Sequence, residues 1–234
     1  VLYWSKLWPF HRKRIPQRSW FAQQSTNGFV GGLQRFGDRY CCMDKIVMWL
    51  KIAVSCLPAM LIGLPLNDWL DKHFYNPTVV ALMLLLYGAG FLFVERYNRS
   101  RKPRVNSIAS LRWSDALLIG VFQVLALIPG TSRSGATILG GILIGTSREV
   151  AAEYTFFLAV PVMFGASLLK IVKFGAISGT ELGVLLVGMA VAFGVSILAI
   201  RFLMGYIRKH DFTAFGWYRI GLGLLVLLYF YVIR

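Results

Sequence analysis

The chain has 234 residues, 57% of them hydrophobic, with a mean hydropathy of +0.62 and a formal net charge of +15. That basicity would suit a soluble nucleic-acid binder. A charged fraction of only 15% among long apolar runs excludes that class, and 15% aromatic residues exclude a disordered tail. Three cysteines are too few for a disulfide scaffold. What remains is an all-α, polytopic integral membrane protein whose excess charge reports topology.

Two polar stretches carry most of the charge. Residues 1–45 hold eight basic and two acidic residues, and residues 96–112 hold six basic residues and no acid. Both flank apolar segments, as cytoplasmic loops do under the positive-inside rule. Residues 1–45 read as a basic N-terminal stub and inside loop, and residues 46–234 as the membrane domain. Cys41 and Cys42 fall in the inside loop, where thiols stay reduced.

The predicted spans, in chain order, are 46–66, 77–94, 151–174, 182–204 and 212–233. Residues 67–76 and 175–181 read as outside loops. Residues 96–113, 146–149 and 205–211 read as inside loops. The alternation of sides closes only if the segment 114–145 begins and ends on one side. Its two apolar halves are each too short to cross at ~20 residues per span. A re-entrant helical hairpin is expected there, since non-helical backbone at membrane depth needs protein or a wet cavity around it. The alternative is one kinked span, which would leave Arg133 in the bilayer at a cost of about 3 kcal/mol.

The polar break in this hairpin reads Pro129, Gly130, Thr131, Ser132, Arg133, Ser134, Gly135, Ala136, Thr137. Pro129 cannot continue a helical ladder, and Gly130 permits a tight backbone. Ser132 or Ser134 can cap the helix that follows. The free amides of that helix start present partial positive charge to an anion. Arg133 adds a guanidinium fork suited to phosphate oxygens. Hydroxyls of Thr131, Ser132 and Ser134 can donate to the same oxygens. The other reading is a Ser/Thr-rich helix break with Arg133 snorkelling or paired.

Further polar groups lie at membrane depth: Gln123, Glu153, Tyr218 and Arg219. Glu153 is read as a partner for Arg133, as a metal ligand, or as facing the inside loop. Arg219 is read as a second phosphate contact or a member of an internal ion pair. Arg201 lies near a span end, where snorkelling accounts for it. His11, His73 and His210 are far apart, and no H-E-x-x-H spacing occurs.

Residues 123–145 (QVLALIPGTSRSGATILGGILIG), 147–165 (SREVAAEYTFFLAVPVMFG) and 215–220 (FGWYRI) resemble the bacterial undecaprenyl-diphosphate phosphatase, or bacitracin-resistance, family. The resemblance implies a helical membrane fold with two re-entrant hairpins, in the inner (plasma) membrane. It implies hydrolysis of undecaprenyl diphosphate to the monophosphate and phosphate, which recycles the lipid carrier for peptidoglycan synthesis. It implies a divalent cation, Mg²⁺ or Ca²⁺, as cofactor. The partners implied are a polyprenyl diphosphate and the lipid bilayer, with no nucleic acid. Family members carry a PGxSRSG motif that supplies the phosphate-binding arginine and serines, here Arg133, Ser132 and Ser134. Gly130, Thr131, Gly135 and Thr137 complete the expected phosphate cradle. The family's N-terminal hairpin, which carries an E-x-x-x-E pair and a P-V-S-S-T-G-H motif, does not occur in this sequence, and the metal ligands are expected in it. The chain therefore reads as truncated at its N-terminus, with low activity expected of it alone. A transporter or flippase of a phosphate-bearing lipid, built on a broken helix, and a catalytically incomplete fragment are the alternatives.

Overall fold

The computed structural model describes residues 3–9, 42–174 and 179–233. The stretch 10–41, including Cys41 and most of the expected inside loop, lies outside the described residues, as does 175–178 of the expected outside loop. The chain divides into residues 1–52 and 53–234. In the first unit a helical turn, Trp4–Leu7, meets the start of helix α1 (Met43–Phe74). There the Trp49 indole donates to the Leu7 carbonyl at 2.9 Å and the Lys45 ammonium to the Trp8 carbonyl at 2.9 Å.

The remaining helices are α2 (Pro77–Asn98), α3 (Trp113–Val124), α4 (Arg133–Leu143), α5 (Arg148–Phe174), α6 (Gly179–Ile207) and α7 (Thr213–Leu228). Among the described residues there is no strand. Among the described residues, five segments are long and apolar enough to cross a membrane: Asp44–Leu66, Pro77–Asn98, Arg148–Val172, Glu181–Ile207 and Thr213–Val232. The fold is thus all-α and polytopic. α1 runs on to Phe74 through residues assigned above to a loop, because no Gly or Pro interrupts 67–74. The chain breaks instead at Asn76, which accepts from the Val79 amide at 2.9 Å and caps α2 ahead of Pro77.

α3 and α4 have 12 and 11 residues, so each reaches roughly 17 Å at helical rise, about half the hydrocarbon core. Their outer ends meet. The amides of Arg104 and Val105 donate to the Gly145 carbonyl at 2.8 and 3.1 Å, and Ser147 N donates to Val105 O at 2.9 Å. A single kinked span would hold these segments on opposite sides of the membrane, so the 113–143 segment is a hairpin. Asp115 fixes its base by accepting from Arg104 Nη2 at 2.6 Å and from the Arg112 amide at 3.0 Å. α4 stops at Gly145, φ +94°, where Gly145 N and Thr146 N return to the carbonyls of Ile142 and Gly141. Ser147 then caps α5 by accepting from the Val150 amide at 3.3 Å.

α2 and α7 pack antiparallel along a seam of small residues. A Cβ on Gly216 would lie 3.0 Å from the Gly88 carbonyl, and one on Gly223 would lie 3.0 Å from that of Ala81. Without a hydrophobic driving force between helices in lipid, this close backbone approach is what holds such a pair. The pair is locked at both ends. Tyr231 and Thr78 share a hydrogen bond of 2.8 Å at one end. At the other, the buried Glu95 carboxylate accepts from Arg148 Nε at 3.0 Å, pairs with Arg148 Nη2, and accepts from the Phe212 amide at 3.1 Å.

Gly216→Leu is expected to abolish the seam and lower the melting midpoint in detergent sharply. Gly183→Leu, at a position with nothing within 4 Å, is expected to leave the midpoint unchanged. Glu95→Gln is likewise expected to lower it, because Glu95 joins three helices. The exposed Arg208–Glu149 pair contributes about 0–1 kcal/mol, so Arg208→Gln should be close to neutral in the same melt.

Candidate functional site

The hairpin tip is built from a turn and a cap. After α3 a short 3-10 turn, Leu125–Leu127, leads into Ile128. Thr131 N donates to Ile128 O at 3.3 Å, with Pro129 and Gly130 (φ +89°) between them. Pro followed by a positive-φ Gly is the sequence of a type II turn. A Cβ on Gly130 would meet the Val80 carbonyl oxygen at 2.6 Å, so both the dihedral and the packing require glycine.

Ser132 follows at φ 61°, ψ 118°, a region rarely occupied by a residue with a side chain and costing of order 1–3 kcal/mol. This conformation makes Ser132 the cap of α4: its Oγ accepts from the Gly135 amide at 3.3 Å and lies 3.3 Å from Ser134 Oγ. Both serines are exposed. The leading amides of α4, which have no intrahelical acceptor, open on the same side.

Two guanidinium groups flank this helix start. Arg133 is the first residue of α4 and is half-buried. Arg219 comes from α7, three residues beyond the Gly216 seam. Its Nη1 donates to the Thr131 carbonyl at 3.1 Å, and a Cβ on Gly135 would lie 2.8 Å from its Nη2. It also stands over the Phe91 ring at 5.5 Å. Among the described residues no carboxylate lies within ion-pair distance of either arginine, so the internal ion pair considered for Arg219 is not formed there. The preceding Tyr218 is exposed; about 200° of helical turn separates it from Gly216, so it lies off the seam with α2.

The other expected residues divide by direction. Thr131 is fully buried, with a hydroxyl that has no hydrogen-bond partner among the described residues. Thr137 points into the helix packing: its hydroxyl donates to the Arg133 carbonyl at 3.0 Å and accepts from Thr155 at 3.0 Å. That hydroxyl is occupied and is not on the open face of the cradle. Gln123 is buried and its Oε1 has no partner among the described residues. Glu153 is buried in the second turn of α5.

Two features escaped the sequence reading. Ser55 of α1 donates to the Ala116 carbonyl at 2.6 Å and shares a 2.8 Å hydrogen bond with Tyr154, tying α1 and α5 to the hairpin. Beside the tip, a cleft of about 110 Å³ runs under Ser134 and Arg219 between α5 and α7, walled by Phe91, Phe156, Phe212 and Phe215. No local spacing marks either, since their members come from separate helices.

Among the described residues no three His, Cys, Asp or Glu side chains come together as a metal site. The donors at the tip are hydroxyls, amides and two cations. That set fits an anion and does not fit a divalent cation.

The chain matches the family model "Bacitracin resistance protein BacA" over residues 1–225, a range that includes the 1–45 stretch set apart above. It is 53% identical over 236 residues to the undecaprenyl-diphosphatase of Acetivibrio thermocellus, covering 100% of this chain and 78% of that protein. It is 58% identical over 189 residues to the undecaprenyl-diphosphatase of Desulfitobacterium hafniense, covering 80% and 68%. With that of Enterococcus faecalis it shares 48% identity over 229 residues, covering 97% and 75%. The chain belongs to the bacitracin resistance protein family.

Gly130→Ala is expected to collapse the tip: circular dichroism should retain the helices while calorimetric binding of pyrophosphate in detergent disappears. Because the tip's donors need no metal, EDTA is expected to leave pyrophosphate binding to the unaltered chain in place.

Proposed function

We propose that this multi-pass membrane protein hydrolyses undecaprenyl diphosphate to undecaprenyl phosphate and inorganic phosphate at the tip of the 113–143 hairpin. The reading places it in a bacterial inner membrane, where the reaction returns the lipid carrier to peptidoglycan synthesis and lowers sensitivity to bacitracin. One observation carries the assignment of the site. Arg133 and Arg219 flank a serine-capped helix start inside a membrane domain, and neither has a carboxylate partner among the described residues. Two fixed cations, free amides and two exposed hydroxyls complement a diphosphate. The aromatic cleft beneath them suits the isoprenyl carbons next to it.

In the reaction, the oxygen of a water molecule bonds to the terminal phosphorus and gives up a proton to solvent, and the bond from that phosphorus to the bridging oxygen breaks. The lipid monophosphate leaves with the bridging oxygen. Negative charge spreads over the phosphoryl oxygens as this happens. Donors already aimed at those oxygens stabilise it without reorganising. Arg133 has the fork to hold two of them. Arg219 holds the Thr131 carbonyl and so keeps the tip's backbone in place while presenting its own charge. Ser132 and Ser134 orient the terminal phosphate.

Phosphate release from a polyprenyl diphosphate in detergent tests this. Arg133→Ala is expected to lower the rate by about 10²–10³, the loss usual for a donor to a developing oxyanion. Arg133→Lys should recover little of it, because a point charge lacks the fork. An unchanged rate in Arg133→Ala would remove the tip from the reaction.

A further inference from the structure

A second cavity lies at the opposite end of the hairpin, between the loop after α2, the end of α4 and the start of α5. It is far larger than the cleft at the tip, about 590 Å³. It sits on the side that the charge rule assigns to the cytoplasm, within the stretch 96–112 that holds six basic residues and no acid. The phosphatase reading makes no use of it.

Its lining is of two kinds. Ile142, Leu143 and Ile207 supply an apolar wall, and Arg101 and Lys102 a cationic rim, with Arg104, Arg148, Arg208 and Glu149 also in the lining. Neighbouring arginines are neutralised: Arg104 by Asp115, Arg148 by Glu95, and Arg208 by Glu149. Arg101 and Lys102 have no carboxylate partner among the described residues. Arg101 Cζ stands 4.0 Å from the centre of the Tyr97 ring, a contact that localises the guanidinium without using its N–H donors. Thr146 also lines the cavity, and its buried hydroxyl has no hydrogen-bond partner among the described residues. A buried hydroxyl without a partner is costly and needs an explanation. A phosphate oxygen in the cavity would satisfy it.

The volume far exceeds that of one phosphate ion, and the apolar wall would be wasted on one. An amphiphile with a phosphate head fits both surfaces, and basic pockets between helices at the cytoplasmic interface take such headgroups. We propose that this cavity binds the phosphate headgroup of an anionic phospholipid of the cytoplasmic leaflet, with Arg101, Lys102 and Thr146 as its contacts. The site is separate from the hairpin tip and does not depend on the hydrolase reading.

Native mass spectrometry of the full chain, released from nanodiscs of phosphatidylcholine with a minor fraction of phosphatidylglycerol, tests the proposal. The unaltered chain is expected to retain one phosphatidylglycerol in preference to phosphatidylcholine. R101E/K102E should reduce that retention at least tenfold. Thr146→Val breaks no internal hydrogen bond, so it should fold as the unaltered chain does and still lose retention severalfold. Phosphate release at the tip should be unchanged in both variants. Equal retention of the two lipids, or retention that survives both variants, overturns the proposal. Displacement of the lipid by equimolar inorganic phosphate would also overturn it, and would make the free ion the ligand.

Discussion

The hydrogen bond from Arg219 to the Thr131 carbonyl holds the hairpin tip where it is. Backbone that leaves a helix inside a membrane has no water to bond to, so protein must supply each partner. The turn Ile128–Thr131 supplies one internally, and Arg219 supplies another from a different helix. The depth of Arg219 is set in turn by the seam of Gly88, Gly216 and Gly223. Any side chain at Gly216 would push α7 away from α2 and lift the guanidinium off the tip. The position of one charged group thus depends on several missing side chains.

The base of the hairpin is held by a different kind of interaction. Asp115 and Glu95 are both buried acids, and each satisfies one arginine and one backbone amide at a helix start. Removing either acid would strand a cation and an amide together, which makes these pairs costly to break. Asp115 anchors α3 to the preceding loop, and Glu95 joins α2, α5 and α7. With base and tip both tied, the strained Ser132 backbone can persist and keep the α4 amides turned toward a ligand. The same fixed base leaves Arg101 and Lys102 as surplus charge at the basic end.

Much of this was legible in the residues. Long apolar runs marked the five spans, because the bilayer demands length and hydropathy alone. Pro129-Gly130 and Ser132 marked the break and its cap, because turn and cap chemistry is local. Direction was less accessible. Thr137 carries the same hydroxyl as Thr131 or Ser132, yet its bond to Thr155 turns it into the packing. Tyr218 and Arg219 are adjacent in sequence, yet Arg219 bonds the Thr131 carbonyl while Tyr218 is exposed, because α7 meets α2 along Gly216 and Gly223. The stretch 67–74 is polar enough to read as a loop, yet it holds no Gly or Pro and the helix runs on through it.

The sequence by itself determined the class of protein, the number of apolar spans, and the polar break with its cap. These depend on composition and on neighbours a few residues apart. Only the tertiary structure decided that 113–143 is a hairpin, that Arg219 serves the break, and that Thr137 does not. It also placed Glu95 and Asp115 at the base and left Arg101 and Lys102 surplus around a cavity. Each of these depends on which residues of distant helices come within about 3 Å of each other, the range in which a hydrogen bond forms. Local periodicity carries no information about that meeting.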